Sequence, residues 1–246
     1  KDYILSWILQ GMSQHKELSK ALAFKGGTVL KKVYFEGYRF SEDLDYTLLD
    51  NDFTNEQIFL WFAEVFEYIR EEANIPLEII DNNEHEDRGI NFHISYVGPL
   101  GGIGANKKVK VDISRSETLV FKPVMNNVIL GYTDQEEHQL LCYSLEEILV
   151  EKLRSVMQRM QARDFYDIWY LLVVYNMDVA FYINEFKTKC ENKDVNPLDF
   201  YKKLEQRLPQ YKGRWQKSMA DQIQELPNFE TVVREVMRQM KKFKLS

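Results

Sequence analysis

Leu22-Ala23-Phe24-Lys25-Gly26-Gly27-Thr28-Val29-Leu30 reads as a short strand that runs into a tight turn and then a helix. The apolar run ends at a glycine pair, and glycine admits both tight turns and close approach of another group to the backbone. Thr28 is placed to cap a helix through Val29, Leu30 and Val33. A second strand follows, where Leu44, Tyr46 and Leu48 alternate with Asp45, Thr47 and Leu49.

Further out, Ile4, Ile8 and Leu9 suggest an opening helix, and Leu18 to Leu22 a short second one. Asn55 to Glu72 predicts a long amphipathic helix with Ile58, Phe62, Val65, Phe66 and Ile69 on one face, preceded by a turn at Asp50-Asn51-Asp52 and a Thr54 cap. Extended segments are expected at Leu77–Ile80, Ile90–Val97 and Val109–Ser114. From Tyr143 on, nearly everything reads as helix. Ser144-Leu145-Glu146-Glu147 matches a capping box, and helices are expected near Arg163–Tyr175, Val179–Lys189, Pro197–Arg207, Arg214–Gln224 and Asn228–Phe243. The resulting fold class is α+β: a mixed sheet flanked by helices over 1–143, then a helical bundle over 144–246 that contributes to the active-site cleft.

With 246 residues, 45% hydrophobic and 28% charged, the chain can bury a substantial core, which excludes global disorder, collagen-like repeats and a coiled coil. Its longest apolar run, Ile168 to Tyr175, is far too short to span a membrane. Lys1-Asp2-Tyr3 carries neither a signal-peptide pattern nor an initiator Met, so a trimmed, cytoplasmic chain is expected. Two cysteines, Cys142 and Cys190, make neither a disulfide framework nor a zinc site. The net charge of -6 is uneven, because residues 201–246 hold 11 Lys+Arg against 5 Asp+Glu. A basic tail on an acidic body is a split worth noting for nucleic-acid contact, although Lys and Arg on solvated helix faces are the commoner cause of such an excess.

Asp43 and Asp45 are two residues apart on a strand and so point to one face. Like charges that close are costly unless cations neutralise them, and hard divalent ions, Mg²⁺ above all, bind such oxygens. A D-x-D alone is weak, and Asp50-Asn51-Asp52 repeats it in a turn. Lys25-Gly26-Gly27-Thr28 adds a place where phosphate could approach the backbone. Asp112 alternates with Val109, Val111 and Ile113, so it points the same way as Lys108 and Lys110. It is either an ordinary exposed strand residue or the third acid of a two-metal cage. Gly98 to Gly104 is also glycine-rich, but a strand follows it where a dinucleotide fingerprint needs a helix, so a hairpin connection is expected. The four histidines, His15, His85, His93 and His138, show no zinc spacing and receive no role.

Phe24 to Leu30, together with Arg39-Phe40-Ser41-Glu42-Asp43-Leu44-Asp45-Tyr46, resembles the signature of AbiEii-type nucleotidyltransferases, which include toxins of the AbiE and MenT systems. Glu147-Ile148-Leu149-Val150-Glu151-Lys152-Leu153-Arg154 and Arg163-Asp164-Phe165-Tyr166-Asp167-Ile168 are similar to that family's helical motifs. The resemblance spans about Phe24 to Leu172 and omits the C-terminal helices. It implies that Gly26, Gly27 and Thr28 hold the triphosphate, with Lys25, Ser41, Lys152 and Arg163 as further phosphate contacts. It implies Asp43, Asp45 and Asp112 as ligands of a two-metal Mg²⁺ site, with Asp112 assisting deprotonation of the acceptor hydroxyl, and Asp164 or Asp167 completing the helical side. The implied activity moves NMP from an NTP to an RNA acceptor, a tRNA 3′ end by family analogy, with a cognate antitoxin as partner and no membrane.

Spacing offers another reading of the helical residues. Lys152 lies in an apolar stripe four residues from Ile148 and Val156, while Asp164 and Asp167 border core-facing positions with Arg163 alongside. A plain interhelical salt-bridge cluster would look the same. A haloacid-dehalogenase-like phosphatase would also use Asp43-x-Asp45-x-Thr47, but it needs an apolar strand ending at Asp43, where this chain has Tyr38-Arg39-Phe40-Ser41-Glu42. A nucleotide-binding module without turnover is the third alternative.

Overall fold

A computed structural model of the chain describes residues 1–85, 89–97 and 107–245 (backbone only at 84 and 85). Two units result: Lys1–Glu117 with Pro123–Tyr143, and Thr118–Lys122 with the chain from Ser144 onward. The first contains helices α1 (Asp2–Gln14), α2 (Leu18–Ala21), α3 (Gly26–Val29) and α4 (Asn55–Ala73). Its strands are β1 (Leu22–Lys25), β2 (Leu44–Leu48), β3 (Leu77–His85), β4 (Gly89–Tyr96), β5 (Lys108–Ser114), β6 (Val124–Asn127) and β7 (Gln139–Cys142). They form one mixed sheet in the order β3-β4-β5-β2-β1-β7-β6. The pairs β2–β5 and β1–β7 are parallel and the others antiparallel.

Alternation gives this sheet two unlike faces. Phe24, Tyr46, Val109, Val111, Ile113, Phe92 and Ile94 are buried on one of them. Helices α1 and α4 cover that face: Phe62 and Phe59 meet the Phe92 ring edge-on at 5.1 and 5.5 Å, and Tyr46 Oη contacts Met12 Sδ at 3.0 Å. The helices approach closely because Gly11 has no side chain, and a Cβ there would lie 2.9 Å from Val65 Cγ1. Thr54 and Gln57 form the reciprocal capping box that starts α4.

Two features depart from the sequence-based expectations. Thr28 does not cap the helix after the glycines. The helix already begins at Gly26, Thr28 lies inside it, and a π-helical turn, Leu30–Tyr34, continues it. β6 and β7 were not anticipated. They are four residues each and pair with one another along their whole length, and β7 joins the sheet where Cys142 stands beside Phe24 of β1. The antiparallel pairing of β4 with β5 agrees with a hairpin, although Gly98 to Gly104 lies outside the described residues.

In the second unit, α5 (Leu145–Gln158) and α6 (Ala162–Trp169) are followed by a π-helical turn (Tyr170–Val174) and a 3₁₀ turn (Val179–Tyr182). Next come α7 (Ile183–Glu191), a 3₁₀ turn (Pro197–Asp199), α8 (Phe200–Met219) and α9 (Phe229–Met240). The two helices expected on either side of Pro209 are one, α8, with the proline inside it. An internal proline costs about 3 kcal/mol. The buried stripe Phe200, Leu204, Tyr211, Trp215 and Met219 runs through on both sides and offsets that cost. Tyr211 stacks on Phe165 at 5.5 Å, and its hydroxyl donates to the Arg159 carbonyl at 3.0 Å.

Replacing Phe92 by Ala empties the centre of the sheet–helix core. We expect a loss of roughly 3–5 kcal/mol in chemical denaturation followed by circular dichroism.

Candidate functional site

The sheet face opposite α1 and α4 carries the polar residues of β1, β2, β4 and β5. Their register places Lys25 opposite Asp45, Asp45 opposite Asp112, and Asp112 opposite Asn91. The four residues thus form one row across four adjacent strands, each about 5 Å from the next along the backbone. Asp112, the acid that could equally have been an isolated surface residue, stands beside Asp45. Asp43 lies just before the first residue of β2. Carboxylates directly opposite one another repel. Here lysines flank the pair: Lys25 stands on the far side of Asp45, and Lys110 makes an ion pair with Asp112.

The glycine turn closes onto this row. Gly26 has φ +82, a left-handed conformation that side chains resist, and a Cβ on it would strike the Asp45 carboxylate. At Gly27 an added Cβ would strike the Arg39 guanidinium and lie 3.2 Å from Ser41 Oγ. Thr28 is fully buried. Its hydroxyl donates to the Asp43 carbonyl at 2.5 Å and shares a hydrogen bond of 2.8 Å with Ser41 Oγ. Its side chain therefore braces the approach to β2 and tethers the Asp43 backbone to the turn. Lys25 is buried, with its ammonium 5.7 Å from the centre of the Tyr143 ring, and Tyr143 Oη is hydrogen-bonded to Thr47 Oγ1 at 2.5 Å.

The donor set fits a divalent cation in kind: hard carboxylate oxygens on one face, two of them in direct register. Among the described residues, no three His, Cys, Asp or Glu side chains already gather closely enough to enclose an ion. Asp112 is held instead in an ion pair with Lys110, which lowers the cost of placing the two carboxylates side by side. Asp43 precedes its strand instead of ending one, so the haloacid-dehalogenase-like arrangement is not built here.

The helical residues form a separate cluster within their own unit. Lys152, only 5% exposed, reaches Asp164 at 2.7 Å and Asp167 at 2.8 Å, and both carboxylates are fully buried. Arg159 adds bonds to Asp164 at 2.7 and 3.1 Å. Arg159 is the C-cap residue of α5, which brings its guanidinium to Asp164 near the start of α6. Burial pushes the Asp164 carboxyl upward, and Lys152 and Arg159 more than offset it, holding it below the usual carboxylate range.

Glu147 departs from its expected part in a capping box. Ser144 accepts from the Glu147 amide at 3.3 Å, but the carboxylate turns inward to Lys189 at 2.5 Å and to the amides of Val120 and Phe121 at 3.0 and 2.8 Å. Lys189 also donates to the Thr118 carbonyl at 2.8 Å, so this buried pair fastens Thr118–Lys122 to the helices. Sequence reading missed Asn91, Arg39 and Lys189. Asn91 was visible only as one polar alternate of a strand, and the other two needed the tertiary fold.

Residues 7–235 match the protein family described as Nucleotidyl transferase AbiEii toxin, Type IV TA system. Among solved structures, the chain is similar to MenT4, nucleotidyltransferase toxin Rv2826c from Mycobacterium tuberculosis H37Rv. Identity is 17% and the TM-score 0.65, over 99% of this chain and 82% of that one. It is also similar to JHP933 from Helicobacter pylori, at 16% identity and a TM-score of 0.59, over 98% of this chain and 91% of that one. No curated protein matches the sequence.

Asp164 has a depressed folded pKa, so its contribution to stability is present above the ordinary carboxylate range and is lost as pH falls through the lower folded value. Asp164→Asn leaves Lys152 short of a buried partner and should cost about 3–5 kcal/mol at neutral pH. In urea melts across a pH series, the gap from the wild type should narrow below about pH 4. A gap independent of pH would refute the ionic account.

Proposed function

The chain belongs to the AbiEii nucleotidyltransferase toxin family and is a nucleotidyltransferase, and from that premise we propose that it transfers NMP from an NTP to an RNA hydroxyl in a metal-dependent reaction. The observation that carries the reading is the register of Asp45 with Asp112 beside a glycine turn that touches the Asp45 carboxylate.

Asp43, Asp45 and Asp112 would hold a pair of Mg²⁺ ions, which when bound neutralise charge on the reacting phosphate and on the leaving oxygens. Gly26 and Gly27 admit the triphosphate close to the backbone, and Lys25 and Ser41 stand at the same turn. Thr28 serves by fixing the Asp43 backbone. In the transfer step, the acceptor oxygen forms a bond to the α-phosphorus as the bond from that phosphorus to pyrophosphate breaks. The acceptor's proton passes to the Asp112 carboxylate. Little covalent chemistry falls to the protein, whose work is positioning and charge neutralisation.

The acceptor we favour is a tRNA 3′ end, and the setting a toxin–antitoxin pair in the cytoplasm, where NTPs and tRNA meet. The family description and the basic excess of residues 201–246 support this. Among the described residues no helix is long and apolar enough to cross a membrane.

Incubation with each α-labelled NTP, Mg²⁺ and total cellular RNA tests the reaction, the nucleotide and the acceptor together. Label should appear in a discrete RNA band and fall at least about a hundredfold in Asp45→Ala. Full transfer by a folded Asp45→Ala protein would sink the metal assignment. Growth arrest on expression should likewise disappear in Asp43→Ala, and arrest that persists in that variant would separate toxicity from transfer.

A further inference from the structure

The stretch between the π-helical turn and β2 returns past the glycines and brings an arginine to them. A Cβ on Gly27 would strike Arg39 Nη2 and lie 3.2 Å from Arg39 Cζ and from Ser41 Oγ. Arg39 is 3% exposed, and its Nη1 donates to the Phe40 carbonyl at 3.1 Å. Phe40, between Arg39 and Ser41, takes the Lys31 ammonium 3.7 Å from its ring centre. The missing side chain at Gly27 is thus the space against which a guanidinium and a hydroxyl are set.

We propose that Arg39 binds the triphosphate of the incoming nucleotide at Gly27, as a phosphate-binding residue beside the glycine turn. The proposal rests on the nucleotidyltransferase reading and names one more group of the same site. A phosphate is the ligand that fits this setting. With the guanidinium lying against Gly27, a phosphate arriving at the turn would meet it directly, and the planar guanidinium fork matches two phosphate oxygens at once. Lysine keeps the charge but loses the fork, so Arg39→Lys separates phosphate recognition from simple charge. A residue that only braced the Phe40 carbonyl would affect stability and leave nucleotide affinity alone.

The test compares wild type and Arg39→Lys in the labelled-NTP assay, with inorganic triphosphate as competitor and thermal melts as control. The expected result is a KM for NTP raised about tenfold or more and inhibition by inorganic triphosphate weakened to a similar degree, in a variant that the melts show to be folded at the assay temperature. Unchanged KM and unchanged inhibition in a folded variant would overturn the proposal while leaving the nucleotidyltransferase reading intact. If Arg39→Lys does not fold, a crystal structure of the wild type with a non-hydrolysable NTP decides. A guanidinium nitrogen within hydrogen-bond distance of a phosphate oxygen supports the assignment, and phosphates seated away from Gly27 refute it. If the wild type transfers no nucleotide, the functional reading fails by itself, and calorimetry with inorganic triphosphate on wild type and variant still judges Arg39.

Discussion

The first unit depends on where β2 sits. It runs antiparallel to β1 and parallel to β5, and that single register brings Lys25, Asp45, Asp112 and Asn91 into line although they are scattered through the sequence. A slip of one residue would send Asp45 to the apolar face and expose Tyr46. The apolar alternates of β2, locked under α1 and α4, therefore hold the acidic alternates in place. The folding energy of one face fixes the chemistry of the other.

The acidic row is stable only because bases accompany it. Two carboxylates set opposite each other would oppose folding, and Lys110 beside Asp112 relieves that repulsion. In the reaction we propose, a divalent ion would take over the neutralising part that the Lys110 ammonium plays here. The helical unit treats its charges differently. Lys152, Asp164 and Asp167 are buried and paired with one another, with the exposed Arg159 bonding Asp164 from outside, which is costly to disturb and gives α5 and α6 a fixed packing.

Much of this was legible in the residues themselves. The glycine turn, the carboxylate strand, the long helix behind Thr54 and the change of character at Tyr143 all follow from local rules of periodicity and capping. What escaped was decided by distant partners. Thr28 looks like a helix cap, but its hydroxyl is taken by Ser41 and the Asp43 carbonyl. Pro209 looks like a break, but a continuous buried stripe carries α8 through it. β6 and β7 are four residues each, too short for local periodicity to announce them, and they are defined by pairing with each other and, through Cys142, with β1. At the candidate site the acids could be named from spacing, whereas Arg39 and Asn91 could not, because only the fold brings them to Gly27 and Asp112.

The Glu147–Lys189 pair has a consequence for modularity. Because it claims Thr118–Lys122 for the helices, the backbone changes unit three times, after 117, after 122 and after 143. A recombination event or a protein engineer cutting once near Tyr143 would leave that five-residue strap on one fragment and its buried acid and base on the other. The helical unit is accordingly no interchangeable cassette. Descent of this architecture should proceed by drift within an intact chain, with the strap and its anchor inherited together.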